Sequence, residues 1–306
     1  MKIAFNRLPR RSPWGGGAHF ATAYADYLTK LGHKVTYALE LDVDWIVMLD
    51  PRPEEGGFSA YDIMRFKEKN PHVKVLHRIN DTGVTRGGDQ LDRLILSSNT
   101  IVANKTVFIS EWVKQHFLRK GFYAASENYV IVNGCDTQYF YPSQRNSVHS
   151  PTKIVTHHWS NNPAKGLDLY SYIDAHAKDL NVEFTYIGRY PSEYKSQNTN
   201  IINPLYGHEL GDELRKHDVY VTAARNEACG SHHVEGAACG MPVIFHKDGG
   251  GVVEMAVRYG IGIDKAEDFK HALSELLSNY SIFSQKVLAC DLSATTMCRR
   301  YIEIMK

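Results

Sequence analysis

The sequence predicts an α/β protein built from two doubly wound domains, and three observations carry that prediction. The chain has 306 residues, more than a single hydrophobic core usually serves. Short apolar runs alternate with helical patterns along most of it, the signature of βα units on mostly parallel sheets. A polar, aperiodic stretch from Tyr141 to Pro151 interrupts the alternation, which then restarts. The expected segments are therefore 1–145, 152–282 and a helical tail 283–306, with a cleft between the two domains.

In the first half, strands are expected near Lys2 to Asn6, Lys34 to Ala38, Trp45 to Leu49, Val73 to His77, Thr106 to Ile109 and Tyr129 to Val132. Ala18 to Leu31 reads as a helix, because Phe20, Tyr24, Leu28 and Leu31 form one stripe and Gly32 stops it. Glu111 to Lys120, closed by Gly121, reads as another. In the second half the expected strands are Lys153 to Thr156, Glu183 to Ile187, Val219 to Thr222 and Val243 to Phe245. The matching helices are Gly166 to Lys178, Glu209 to Lys216, Ser231 to Ala238, Val252 to Tyr259 and Ala266 to Ser278. Ser284 to Lys306 reads as one or two helices with no strand to follow, suited to packing back on the first domain.

Composition excludes several classes of function. With 43% apolar and 23% charged residues the chain is of ordinary globular type, and a formal net charge of +1 gives no basic face for nucleic acid. Five cysteines without a CxxC pair indicate reduced thiols rather than disulfides or a zinc ribbon. No apolar run approaches the ~20 residues a membrane span needs, and Met1 to Arg11 has no signal-peptide core. A cytoplasmic location is expected. Arg7, Arg10, Arg11 and Trp14 form a basic, partly apolar loop suited to peripheral contact with a membrane or a lipid-linked acceptor.

The segment from Asp218 to Glu254 is the most informative. An apolar strand, a small-residue loop with Glu227 and Gly230, and a helix with Glu235 together make an anion site. First-turn amides at Gly230, Ser231 and His232 point outward, and the helix dipole adds about half a positive charge. Glu235, ~6 Å along that helix, is placed for a ribose diol, and Glu227 for sugar hydroxyls. Two glutamates eight apart also fit a solubilising loop and a solvated helix face, so spacing alone leaves both readings open.

The stretch HDVYVTAARNEACGSHHVEGAACGMPVI, residues 217–244, resembles the retaining GT-B glycosyltransferases of the "glycosyl transferases group 1" set. VFISEWVKQHF (107–117), VIVNGCDTQYFYP (130–142), AKGLDLY (164–170), FTYIG (184–188) and DGGGVVE (248–254) follow in that family's order. The resemblance implies a GT-B fold of two Rossmann-like domains and metal-independent transfer of a sugar, with retention, from a UDP- or GDP-sugar. The acceptor would be a hydroxyl on a glycan, lipid or small molecule, and no separate cofactor is implied. It further implies that Glu235 holds the ribose, that Glu227 and neighbouring amides hold the sugar, and that Lys165 neutralises the diphosphate. A lysine there stabilises charge that grows as the glycosidic bond breaks, although a cation at a helix start opposes the dipole.

Two departures and several further contacts complete the expectation. The family usually carries an arginine five residues before the lysine, where this chain has Ser160; either Arg189, Arg225 or a protonated His158 supplies the charge, or the diphosphate is held more weakly. Ser160, Arg189 and Leu205 join the expected donor contacts. Gly15-Gly16-Gly17 follows the first strand, and Gly16 and Gly17 fit either a phosphate-binding turn or a plain tight turn. His77, at an expected strand end, is assigned to sugar contact or orientation. Arg78 and Asp81 fit acceptor contacts or a mutual ion pair. The doublets His157-His158 and His232-His233 lack metal-ligand spacing. A nucleotide-sugar epimerase, a phosphorylase of similar architecture or a non-catalytic binding module are the competing functions.

Overall fold

A computed structural model describes residues 1–13, 15–53, 57–84, 88–122, 127–143 and 147–306. Trp14 of the expected basic loop, and Gln144 and Asn146 of the expected linker, lie outside them. By contacts the chain divides into two compact units, Met1–Asn133 with Ala294–Lys306, and Gly134–Ser293. Residues 134–143 and 283–293 therefore lie in the second unit and 294–306 in the first.

The first unit has a six-stranded parallel sheet of β1 (Lys2–Phe5), β2 (Lys34–Thr36), β3 (Trp45–Met48), β4 (Lys74–Ile79), β5 (Lys105–Phe108) and β6 (Glu127–Val130), in the order β2-β1-β3-β4-β5-β6. The crossovers carry α1 (Gly16–Lys30), α2 (Ala60–Lys69), α3 (Asp89–Val102) and α4 (Glu111–Arg119). Successive strand side chains alternate between faces: Ile3, Phe5, Trp45 and Val47 pack with Phe20, Tyr24 and Leu28 of α1. Ala4, Ile46, Met48 and Val75 pack on the other side with Phe58 and Ile63. Both faces are covered, so these strands read as continuous apolar runs.

The second unit repeats the scheme with β7 (Thr152–His158), β8 (Val182–Gly188), β9 (Asn200–Ile202), β10 (Val219–Thr222), β11 (Val243–His246) and β12 (Gly260–Ile263). All pairs are parallel, in the order β12-β11-β10-β7-β8-β9. Its helices are α5 (Leu167–His176), α6 (Gly207–Leu214), α7 (Ser231–Ala238), α8 (Gly251–Ala256), α9 (Phe269–Ser278) and α10 (Tyr280–Leu288). From β7 the chain winds outward to β9, then crosses back to start β10 on the other side of β7. Such a reversal opens a crevice at the carboxyl ends of the two central strands, here β7 and β10.

The last helix, α11 (Ala294–Met305), belongs to the first unit and packs on α1. Met297, Cys298, Tyr301 and Met305 enter the same core as Phe20 and Tyr24. Arg78, 1% exposed, donates from Nε to the Tyr301 hydroxyl at 3.1 Å and from Nη2 to Asn133 Oδ1 at 2.7 Å. Its guanidinium also lies 4.1 Å from the Phe20 ring centroid. Arg78 is thus an interior residue, bonded to Tyr301 and Asn133 rather than paired at the surface with Asp81.

Candidate functional site

The site grows from the ends of β7 and β10. All four residues of β10 are buried, and beyond Thr222 the loop 223–230 is fastened on two sides. Arg225 N–H donates to the Ala164 carbonyl at 2.8 Å, and Gly251 N–H donates to the Glu227 carbonyl at 2.8 Å. Asn226 sits at φ 54°, a left-handed conformation asparagine tolerates better than most residues. It turns the chain so that the Glu227 side chain meets Lys165.

Lys165 ends a 3₁₀ turn, Pro163–Lys165, that follows β7. Its Nζ forms an ion pair with Glu227 Oε2, the two side chains being 18% and 25% exposed. Gly166, at φ 90°, lies so close to the β10 loop that an added Cβ would stand 2.2 Å from Ala223 Cβ and 2.3 Å from its carbonyl oxygen. Glycine is therefore required for the lysine turn to seat there.

Helix α7 opens at Gly230, which has extended backbone angles; no side chain caps the helix and its first turn holds no acidic residue. The amides at Ser231, His232 and His233 thus lie at the dipole end of a helix whose own first turn carries no carboxylate. Ser231 is half-buried. The His232 ring turns inward, its Nε2 2.8 Å from Thr222 Oγ1. A Cβ at Gly230 would stand 2.4 Å from the His232 ring and 3.1 Å from Glu227 Cγ, which ties the glycine to both neighbours.

Glu235 lies one turn along α7 and is 3% exposed. Its Oε2 is 2.8 Å from Nε2 of His157, a fully buried residue of β7. The second unit therefore brings Lys165, Glu227, Gly230, Ser231, His232 and Glu235 together around the ends of two adjacent strands. Ser160, half-buried, accepts from Asn162 N–H at 3.2 Å and shapes the turn before Lys165. Exposed Arg189 lies beside it, with its N–H on the His158 carbonyl at 2.9 Å and Nη1 on the Trp159 carbonyl at 3.4 Å. Leu205 is half-buried in the connection between β9 and α6.

Of the cations expected to replace the family arginine, two are committed elsewhere. The Arg225 fork pairs with both oxygens of Asp168, with Nη1 2.9 Å from Oδ1. Burial, with nearby Lys165, holds the His158 imidazole well below its ordinary value, so it is neutral, and its Nε2 is 2.7 Å from the Tyr170 hydroxyl.

The histidine doublets converge although adjacent side chains diverge. The His158 and His232 rings meet edge-on at 4.8 Å, and His157 meets His232 at 6.2 Å. Their nitrogens serve Tyr170, Thr222 and Glu235, and no group of three metal-ligating side chains occurs among the described residues. His233 is wholly buried, neither ring nitrogen reaching hydrogen-bond geometry. Burial lowers its value to about 4, while the Gly230 backbone and the Glu227 and Glu235 carboxylates pull upward.

His77, Gly16 and Gly17 belong to the first unit. β4 runs on to Ile79, so His77 lies within the strand rather than at its end, and is 1% exposed. Asn99 Nδ2 donates to its Nδ1 at 2.9 Å, and burial lowers its value to about 3 against the pull of Asp50. It is a neutral interior histidine. Gly16 and Gly17 form the first turn of α1, whose start has no side-chain cap; a Cβ at Gly17 would come within 3.0 Å of the Asn80 amide. Arg11 pairs with Asp26 at 2.7 Å, and Arg7 donates to the Arg52 carbonyl at 2.8 Å. No helix among the described residues is long and apolar enough to cross a membrane.

His157 and Tyr220 are the residues that sequence reasoning missed. His157 stood out only as half of a doublet. Its pairing with Glu235, 78 positions away, becomes visible once β7 and β10 are known to be neighbours.

Residues 189–287 match a family model described as Glycosyl transferases group 1. No curated protein sequence matches the chain significantly. Solved structures do. HepE from Anabaena, in complex with UDP and glucose, superposes with a TM-score of 0.75 at 14% identity, covering 100% of this chain and 99% of that one. Sucrose-phosphate synthase from Thermosynechococcus elongatus gives 0.70 at 14% identity over 99% and 98% of the two chains. WaaG, a glycosyltransferase involved in lipopolysaccharide biosynthesis, gives 0.69 at 12% identity over 99% of each. At such identities the likeness is one of fold. The chain has the GT-B fold, and its stretch 189–287 is similar to the Glycosyl transferases group 1 family.

Proposed function

We propose that this chain is a glycosyltransferase that moves a sugar, with retention, from a nucleoside diphosphate sugar to a hydroxyl on a glycan, lipid or small molecule, acting in the cytoplasm without metal or further cofactor. One observation carries the reading: Lys165 and Glu227 pair beside the uncapped start of α7, with Glu235 one turn further on, at the crevice where the second sheet reverses direction. A diphosphate there would meet first-turn amides and an ammonium. Both stabilise the charge that builds on the leaving group, so they act where the barrier is set. Donor binding would exchange the Lys165 partner from carboxylate to phosphate, freeing Glu227 for sugar hydroxyls. The leaving phosphate can itself take the acceptor proton, so no histidine base is required; buried His77 has no step in this scheme. The UDP complexes of HepE favour a UDP-sugar over a GDP-sugar as the first donor to test.

The test is a thermal-shift panel of UDP, GDP, ADP and their sugars. A ligand at 100 times its Kd stabilises by about 2.7 kcal/mol, so the cognate nucleotide should raise Tm by several degrees. A panel in which no nucleotide moves Tm overturns the reading in favour of a non-catalytic module. Glu235→Ala should weaken nucleotide binding at least about tenfold by calorimetry, since it removes a charged acceptor; unchanged affinity would count against the ribose assignment. Incubation with donor alone separates transfer from epimerisation, because an epimerase needs no acceptor.

A further inference from the structure

We propose that His157 is a positioning residue for Glu235, and that Tyr220, seated on Gly236, fixes the tautomer in which His157 acts. This rests on the donor-binding role given to Glu235 above.

The backbone N–H of His157 donates to the Tyr220 hydroxyl at 3.1 Å. That hydroxyl has one proton of its own and two acceptors to choose from: His157 Nδ1 at 3.1 Å and the His157 carbonyl at 3.5 Å. The shorter contact directs the hydroxyl proton to Nδ1 as acceptor. A neutral imidazole accepting at Nδ1 carries its hydrogen on Nε2, and Nε2 is the atom 2.8 Å from Glu235 Oε2. Tyr220 therefore sets His157, and His157 aims a donor at one oxygen of the carboxylate. Fully buried Tyr220 and His157 and nearly buried Glu235 leave little water to compete for any of these bonds.

A second, independent observation points the same way. Gly236 follows Glu235 in α7, and a Cβ there would stand 2.2 Å from Tyr220 Cδ2 and 2.5 Å from Cγ. Only glycine lets the Tyr220 ring lie against the helix and still deliver its hydroxyl to the end of β7. One contact chain, β10 to β7 to α7, thus arrives at the carboxylate proposed to read the ribose. Holding that carboxylate in one rotamer removes ordering entropy that ligand binding would otherwise have to supply. The bond does not use up the acceptor, because an ionised carboxylate has about four lone-pair sites.

The experiment measures UDP and GDP affinity by calorimetry for the wild type, Tyr220→Phe, His157→Gln and His157→Leu, with melting curves confirming that each is folded. It also records imidazole ¹⁵N shifts of His157. Tyr220→Phe keeps the ring on Gly236 and loses only the hydroxyl, so affinity should fall about 3- to 10-fold, the worth of one neutral hydrogen bond. His157→Gln can present an amide N–H near the place of Nε2 and should bind more tightly than His157→Leu. The ¹⁵N shifts should show the Nε2–H tautomer in the wild type and a mixture in Tyr220→Phe. Wild-type binding by all three variants, or an Nδ1–H tautomer in the wild type, overturns the positioning role alone. A folded wild type that binds no nucleotide of the thermal-shift panel overturns the donor reading and this inference with it, so the two failures are distinct.

Discussion

Lys165 and Glu227 face each other with 18% and 25% of their side chains exposed, and with water still reaching both charges the pair itself adds modestly to stability. Its value is functional. Lys165→Ala removes the ammonium paired with Glu227 beside the α7 start, and charge stabilisation confined to the transition state shows up in kcat. Turnover should fall about 10²- to 10³-fold, in line with loss of one preorganised electrostatic contact, while the melting temperature stays within a degree or two. Steady-state kinetics check this, and a change confined to KM would assign Lys165 to ground-state binding instead. Glu227, Gly230 and Glu235 were legible in the sequence, because a strand, a small-residue loop and a helix with an early glutamate imply unsatisfied amides with a hydroxyl acceptor close by. The partner of Glu235 was not legible. His157 is brought to it by the reversal of strand order, a long-range property that no local window of sequence contains.

At the scale of elements, the turn at Lys165 and the loop after β10 are one unit, joined at Gly166. Gly166→Ala would place a side chain in a left-handed conformation, costing roughly 1 kcal/mol, and would drive Cβ into the Ala223 backbone. Because Ala223 N–H is held by the Tyr170 hydroxyl at 3.1 Å, it cannot yield freely. The substitution should cost more than about 2 kcal/mol in a urea titration and depress turnover through Lys165. Gly207 provides the contrast: at φ 61° its Cβ would meet only ordinary contacts at 3.8 Å or more, so Gly207→Ala should cost only the conformational share. Equal effects at the two sites would refute the close-packing argument. Strands β7, β8, β10 and β11 were readable as buried apolar runs. β12, with the sequence GIGI, was not, since glycine is poor in strands. It forms because Gly260 must pass the Val243 carbonyl, where a Cβ would stand at 2.1 Å. α2 carries a capping box, Ser59 with Asp62, in a stretch for which no helix is expected from the sequence.

Across the whole molecule, acid should be the weakness. His77 and His233 keep folded values of about 3 and about 4 against an ordinary 6.5, and burial also holds His158 and His232 well below it. All four stay neutral in the folded protein while the unfolded chain takes up protons below pH 6.5. Stability is therefore whole above that pH and is lost as pH falls toward the folded values. Each such group removes about 1.4 kcal/mol per pH unit in that window. Since His77 lies in one unit and the other three in the second, both should weaken. Thermal unfolding at pH 7, 6 and 5 should show Tm dropping progressively, before carboxylates begin to protonate; a level Tm over that range would contradict the burial of these rings.

The first unit draws its closing helix from a stretch of chain that follows the whole of the second. On a ribosome the middle of the chain is therefore finished before the beginning is. The early sheet must wait, with the patch destined for Tyr301 and Met297 uncovered, while some 160 further residues, Gly134–Ser293, are made. Domains usually mature from the amino end as they emerge; here the order is inverted, and the exposed flank of α1 is where a nascent-chain chaperone would find its hold.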